Sequence, residues 1–123
     1  MKGTKTLITG IGLDIVELER IAKLDERSDK FRLRILTAKE LELYESLQPH
    51  RKIEFLAGRF SAKEAFAKAR GTGIGNGCRF EQIEILPEPS GKPVLSFDGK
   101  AVAGFVSITH TNTVAAAQVI LMK

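Results

Sequence analysis

Residues 5–13, Lys-Thr-Leu-Ile-Thr-Gly-Ile-Gly-Leu, form a short apolar run holding two glycines, which predicts a strand that delivers Asp14. Glycine inside a strand marks close approach of another backbone or of a ligand. Over residues 16–25 the spacing becomes helical. Val16, Leu18, Ile21, Ala22 and Leu24 fall inward, while Glu17, Arg20, Lys23 and, just beyond, Arg27 fall outward. Thr37-Ala38-Lys39-Glu40 has the form of a capping box, in which the threonine hydroxyl serves the free amide at Glu40 and the glutamate reaches back. It opens a second helix that runs to about residue 47 and stops before Pro49. The third and longest helix covers residues 50–70, with Gly71 as its natural stop.

On that third helix Ile53, Leu56, Ala57, Phe60 and Ala67 share one face, and Phe55, Ala62, Phe66 and Ala69 lie nearly opposite. A helix apolar on two sides is largely buried. Glu64 projects from the middle of the first apolar face. From residue 81 the period is two: residues 83–86 and 94–97 read as strands joined by a Pro-Ser-Gly-Lys turn at 89–92. Residues 105–110 and 114–121 read as a second pair turning at Thr111-Asn112-Thr113. One strand, three helices and four strands imply an α+β fold, with the longest helix central and packed against an antiparallel sheet.

A length of 123 residues makes residues 1–123 one domain, since halves would be too small to bury good cores. The hydrophobic share, 43%, suits a globular chain and excludes a disordered one. No apolar run approaches the roughly 20 residues of a membrane span. Met1-Lys2-Gly3-Thr4-Lys5 does not read as the start of a signal peptide, and Cys78, the one cysteine, cannot form an internal disulfide. A cytoplasmic location is therefore expected. The net charge of +4 favours an anionic partner without choosing among nucleic acid, acidic protein and phosphate-rich small molecule. Seven Phe, one Tyr and no Trp, with several Phe at core spacings, argue against single-stranded nucleic acid.

Glu64 is the first chemical candidate, because a carboxylate on an apolar face is costly unless paired or metal-bound. It can pair with Lys68, four residues on. Asp14, at the end of a glycine-rich strand, reads either as a turn residue or as a second carboxylate meeting a cation. Two carboxylates from different elements, with no cysteine or histidine cluster, suit Mg²⁺, which prefers hard oxygens. Arg59, Lys63, Lys68 and Arg70 are either a solvated basic face or the flank of a phosphate site running into Gly71-Thr72-Gly73-Ile74-Gly75-Asn76-Gly77. That loop brings backbone amides near a phosphate or is simply mobile, and it matches neither the P-loop nor the dinucleotide fingerprint. His110 is structural, a phosphate donor, or an acid or base. His50 reads as surface at a helix start. Arg20, Lys23, Arg27, Lys30, Arg32 and Arg34, interleaved with Phe31, Leu33 and Ile35, form a solvated face or a docking surface for an acidic helix with Phe31 as anchor.

Four stretches together resemble the small, single-domain class of 4'-phosphopantetheinyl transferases. They are Gly10-Ile11-Gly12-Leu13-Asp14-Ile15-Val16-Glu17-Leu18; Phe31-Arg32-Leu33-Arg34-Ile35-Leu36-Thr37; Phe55 through Ala65 (Phe-Leu-Ala-Gly-Arg-Phe-Ser-Ala-Lys-Glu-Ala) with Gly71-Thr72-Gly73; and Val106-Ser107-Ile108-Thr109-His110-Thr111. The resemblance implies transfer of 4'-phosphopantetheine from coenzyme A to a serine of acyl carrier protein, with release of 3',5'-ADP, in the service of fatty acid biosynthesis. It implies Mg²⁺ held by Asp14 and Glu64, and catalysis by Asp14, Glu64 and Lys68. Arg59, Lys63, Lys68 and His110 would contact the coenzyme phosphates, with Gly71, Gly73 and Thr111 beside them. Arg20, Arg27, Phe31 and Arg34 would face the carrier, and a homotrimer would place active sites between subunits. Three features depart from the family pattern: Thr109 where serine is usual, Val16 where larger relatives carry a third acidic residue, and a short segment at 98–104.

A non-enzymatic module gripping an acidic protein through residues 20–34 is the alternative, but it gives no reason for Glu64. A nucleic-acid-binding domain accounts for the charge, yet none of its recognition motifs is present.

Overall fold

The protein, described here from a computed structural model over residues 7–123, is α+β as expected, but built on two sheets. Strand β1 spans Ile8–Glu17, four residues beyond the predicted end; Lys5 and Thr6 lie outside the described residues. Its ladder with β6 (Val114–Met122) continues to the pair Glu17↔Val114, so Val16 is a buried strand residue rather than the start of a helix. An inward valine there satisfies either period, and the ladder decides. Helix α1 follows at Leu18–Arg27, its first amide donating to the Thr113 carbonyl at 2.8 Å.

A short helix, α2 (Lys30–Ile35), was not foreseen. Six residues give too few apolar repeats to stand out from a charged stretch. Helix α3 (Ala38–Glu45) opens with the predicted capping box: the Thr37 hydroxyl accepts from the Glu40 amide, and the Glu40 carboxylate accepts from the Thr37 amide at 2.9 Å. Helix α4 runs over Pro49–Arg70, with proline in its first turn and Gly71, at φ 84°, closing it. It is apolar on two sides because it separates two cores. Ala62, Phe66 and Ala69 pack with Ile83, Ile85, Leu95 and Val119. Leu56 and Ala57 pack with Val16, Ile21, Ile35, Tyr44 and Phe80.

After a single turn of 3-10 helix at Phe80–Gln82 come β2 (Ile83–Pro87), β3 (Pro93–Phe97), the two-residue β4 (Lys100–Ala101), β5 (Gly104–His110) and β6. One antiparallel sheet has the order β1-β6-β5 and the other β2-β3-β4. The single predicted sheet is thus divided. Asp98 and Gly99, at φ 52° and 78°, make the tight turn that folds β4 back on β3, pairing Phe97 with Lys100. A two-residue strand has no period to read.

What brings β1 against α4 is the absence of side chains. A Cβ on Gly12 would stand 1.8 Å from the Ala65 carbonyl oxygen, and one on Gly10 would stand 2.1 Å from that of Ala69. The same face of β1 carries Asp14 towards the helix. The other face of this sheet is apolar and open: Ile11, Leu13, Ile15 and Phe105 are each more than half exposed. Ile11, Ile120 and Phe105 lie in register across its three strands.

Candidate active site

Asp14, in the second half of β1, and Glu64, in the C-terminal half of α4, converge. The half-buried Glu64 carboxyl is held above its ordinary value, first by burial and then by the negative charge of Asp14, while Lys68 and Arg20 pull it down. Two carboxylates from distant parts of the chain therefore share one electrostatic site. Lys68 leans on β1, its Nζ donating to Asp14 Oδ1 and to the Leu13 carbonyl, both at 3.0 Å. The i,i+4 pair expected between Glu64 and Lys68 is not formed. Lys68 pairs with Asp14, and Glu64 has no ion pair or hydrogen bond among the described residues. The tight β1–α4 approach brings Asp14 and the Leu13 carbonyl of β1 within hydrogen-bond reach of Lys68.

Lys63 corrects the reading of it as a phosphate ligand. Its side chain is 0% exposed, and Nζ donates to Glu40 Oε1 (2.5 Å), to the Ile35 carbonyl (2.6 Å) and to the Phe80 carbonyl (3.2 Å). All three ammonium hydrogens are used. Burial lowers its pKa and Glu40 raises it. Glu40 also accepts from the Ile85 amide at 2.8 Å, so the capping glutamate ties α3, α4 and β2 together. Sequence spacing showed the cap, but the partners 23 and 45 residues away left no local signal.

The glycine loop needs a similar correction. The Gly71 amide donates to the Lys68 carbonyl at 2.9 Å and the Gly73 amide to that of Ala67 at 3.1 Å, so both close α4 rather than face a ligand. Thr111 Oγ1 accepts from the amides of Thr113 and Val114, which sets the β5–β6 turn. Phe31 is half-buried, its ring 5.8 Å from that of Phe60, so it belongs to the core more than to a free surface. On α2 the exposed apolar side chain is Leu33. Arg34 lies over the Phe80 ring, and Arg20 and Arg27 line an open groove of about 510 Å³ along α1 with Glu17, Glu19, Lys23 and Leu24.

A second concentration of predicted residues lies beside the middle of α4. Arg59 Nε donates to the Ile85 carbonyl at 3.0 Å, and its guanidinium lies over the Phe55 ring at 4.3 Å. That side chain borders a hollow of about 320 Å³ between the two sheets, walled by Pro87, Gly91, Pro93, Val106 and Ile108. On its other side Arg59 shares a smaller hollow with Arg51, Glu54 and His110. His110 Nδ1 is 3.5 Å from Glu54 Oε2. Arg51 and Glu54 carried no sequence signal beyond an exposed helix face. Glu54 and Glu64, ten residues apart, are separated by about 15 Å along the helix axis. Within one chain the predicted site is therefore two groups: a carboxylate pair with Lys68, and a basic hollow around Arg59 and His110.

Residues 10–120 match the model of a family described as the 4'-phosphopantetheinyl transferase superfamily. The chain is 52% identical over 117 residues to a holo-[acyl-carrier-protein] synthase of Geobacillus sp. (strain WCH70), covering 95% of this chain and 98% of that one. The chain belongs to the 4'-phosphopantetheinyl transferase superfamily, among its holo-[acyl-carrier-protein] synthases. The synthase of Bacillus subtilis (strain 168) is 53% identical over 118 residues, covering 95% of this chain and 98% of the other. A crystal structure of the synthase from Bacillus anthracis str. Ames, in complex with CoA (3',5'-ADP), superposes with a TM-score of 0.85 at 43% identity, covering 96% and 99% of the two chains. The Helicobacter pylori synthase, solved in complex with coenzyme A, gives a TM-score of 0.79 at 31% identity, with 92% and 99% covered. The resemblance seen in the motifs thus extends over nearly the whole phosphopantetheinyl transferase fold.

Proposed function

We propose that this chain transfers 4'-phosphopantetheine from coenzyme A to a serine of apo-acyl carrier protein, releasing 3',5'-ADP and supplying holo-carrier for fatty acid biosynthesis in the cytoplasm. The observation that carries this reading is the convergence of Asp14 and Glu64, with Lys68 beside them, in a chain whose relatives are holo-[acyl-carrier-protein] synthases. The donor set fits Mg²⁺. Two hard carboxylates meet with an electrostatic conflict between them, and among the described residues no third His, Cys, Asp or Glu joins them. Magnesium commonly takes one or two protein carboxylates and completes its shell with water and substrate phosphates. Asp14 and Glu64 would hold it, and when bound it supplies positive charge against the pyrophosphate of coenzyme A.

Chemically the transfer asks for positioning and charge stabilisation. The carrier serine oxygen forms a bond to the β-phosphorus as the bond from that phosphorus to the bridging oxygen of 3',5'-ADP breaks. Lys68, half-exposed and on the rim of the carboxylate pair, offers its ammonium to the charge that collects on the leaving phosphate. Glu64 is the candidate to accept the serine proton, since among the described residues no cation is bonded to its carboxylate while Lys68 holds Asp14. If Glu64→Gln kept metal affinity and full rate, that assignment would fall. Arg59 and His110 would receive the other anionic end of the coenzyme.

One extended coenzyme needs both groups of residues, and the open apolar face of β1, β6 and β5 supplies a means of joining them across subunits. Ile11, Leu13, Ile15 and Phe105 are suited to burial against further copies of the chain, giving a homotrimer with composite sites. Arg20, Arg27 and Arg34 give a basic approach for the acidic helix of the carrier, with Leu33 in place of Phe31 as the apolar contact.

The test incubates the protein with apo-acyl carrier protein, coenzyme A and Mg²⁺ and weighs the carrier by mass spectrometry. A gain of one phosphopantetheine, lost with EDTA and in Asp14→Ala, is the expected result. No gain on a carrier that another transferase can modify would overturn the reading and favour a non-enzymatic module.

A further inference from the structure

We propose that Lys68 is a tethered cation that competes with the divalent metal for Asp14, and that metal entry swings it off β1 and towards the phosphate. This rests on the metal reading of Asp14 and Glu64 given above.

Lys68 Nζ makes two hydrogen bonds, to Asp14 Oδ1 and the Leu13 carbonyl, both at 3.0 Å. The Asp14 side chain is 15% exposed and that of Lys68 is 51% exposed. The anchor is thus enclosed while the lysine stem lies along the surface, free to pivot. Glu64, the other carboxylate of the pair, has no hydrogen bond or ion pair among the described residues. All the direct neutralisation that the pair receives is therefore given to Asp14. Among the described residues the other cation acting on Glu64 is Arg20, which makes no hydrogen bond to either carboxylate.

A divalent ion and an ammonium that share one carboxylate repel each other strongly at such short range. One charge-assisted hydrogen bond from a half-exposed lysine, backed by one bond to a carbonyl, is the weaker competitor. The Lys68 stem is half-exposed, so a rotation of it moves the ammonium outward from Asp14 with no change in the backbone. The same residue would neutralise Asp14 in the metal-free chain and then serve the phosphate. It would also set a threshold for metal affinity, because every binding event must break the Asp14 contact.

The experiment is a Mn²⁺ titration of chelator-treated protein followed by electron paramagnetic resonance, with no coenzyme present. Lys68→Met should bind Mn²⁺ more tightly than the parent, on the order of tenfold, the size of effect a charge at hydrogen-bond distance exerts on a carboxylate. Arg20→Gln removes the same charge without removing a bond to Asp14 and should change the dissociation constant far less. In thermal melts without metal, Lys68→Met should be less stable than the parent, and Mn²⁺ should raise its Tm by more. Equal tightening in both variants would mean a diffuse field, and the proposal would be wrong. Unchanged or weaker binding in Lys68→Met would overturn it while leaving the metal site standing. If neither the parent nor the variant binds Mn²⁺, the metal reading and this inference fall together.

Discussion

Replacing Gly12 with alanine adds one methyl group where the structure has no room for it. The Ala65 carbonyl oxygen lies 1.8 Å from where that carbon would stand, the carbonyl carbon 2.7 Å, and the Ala69 amide nitrogen 2.9 Å, against about 3.4 Å for ordinary contact. All three are backbone atoms inside a helix, so no side-chain rotation relieves the clash. Strand and helix must separate by more than 1 Å on the order of a packing defect, and overpacking of this kind ordinarily costs about 1–3 kcal/mol, more when backbone has to move. We expect about 3 kcal/mol or more from urea denaturation, and a fall in Tm of roughly 10 °C or more. Separation also draws Lys68 and Glu64 away from Asp14, so metal affinity should fall with stability. Ala65→Gly should not rescue Gly12→Ala, because the obstacle is the carbonyl rather than the methyl of Ala65. A Gly12→Ala protein within about 0.5 kcal/mol of the parent would refute the close-approach argument.

Breaking the enclosed pair by Lys63→Met should cost about 3 kcal/mol, because buried Glu40 keeps only the more distant Arg59 guanidinium, 4.0 Å away, among the described cations, whereas Glu40→Leu with Lys63→Met should cost less than the two single changes combined. A double-mutant cycle by chemical denaturation reads this, and strict additivity would count against it. Burial and Asp14 raise the Glu64 carboxyl, so the native chain binds that proton more tightly than the unfolded chain. Glu64 therefore subtracts from stability as pH climbs through its raised value. Glu64→Gln should gain on the parent in urea melts as pH rises from about 4, the ordinary carboxylate range, through the raised value, and a constant difference would contradict the sign. Ile15→Asp, on the open sheet face, should lower the sedimenting mass to that of one chain and reduce transfer activity with it. An unchanged sedimentation profile would remove that face from the proposed assembly.

Elements whose ends are fixed by local chemistry were legible in the sequence. The Thr37–Glu40 box and Gly71 act within a few residues, and both are found where the sequence predicts them. The limits of β1 were not, because they depend on a ladder to residues about a hundred positions away. Helix α2 and strand β4 are too short for a period to appear. The Asp14–Glu64 meeting could be anticipated from a costly carboxylate and a glycine-rich strand. What the sequence concealed was which cation goes where. Spacing along a helix pairs Lys68 with Glu64, but the bare surface of Gly12 brings β1 into reach and Asp14 takes the lysine. Lys63 looked like one more basic residue of an exposed run, although its acceptors come from α2, α3 and the turn at Phe80, which only the folded chain assembles.

Since α4 carries Arg51, Glu54, Arg59, Glu64 and Lys68 on one uninterrupted rod, their spacing is a count of residues. Inserting or deleting a single residue between Arg59 and Glu64 would turn the latter by about 100° and shift it about 1.5 Å, sending its carboxylate away from Asp14. The segment, whose Ser61, Ala62 and Lys63 are fully buried, should therefore tolerate no change of length at all. The Asp98–Gly99 corner, which touches neither group, should by contrast tolerate an added residue.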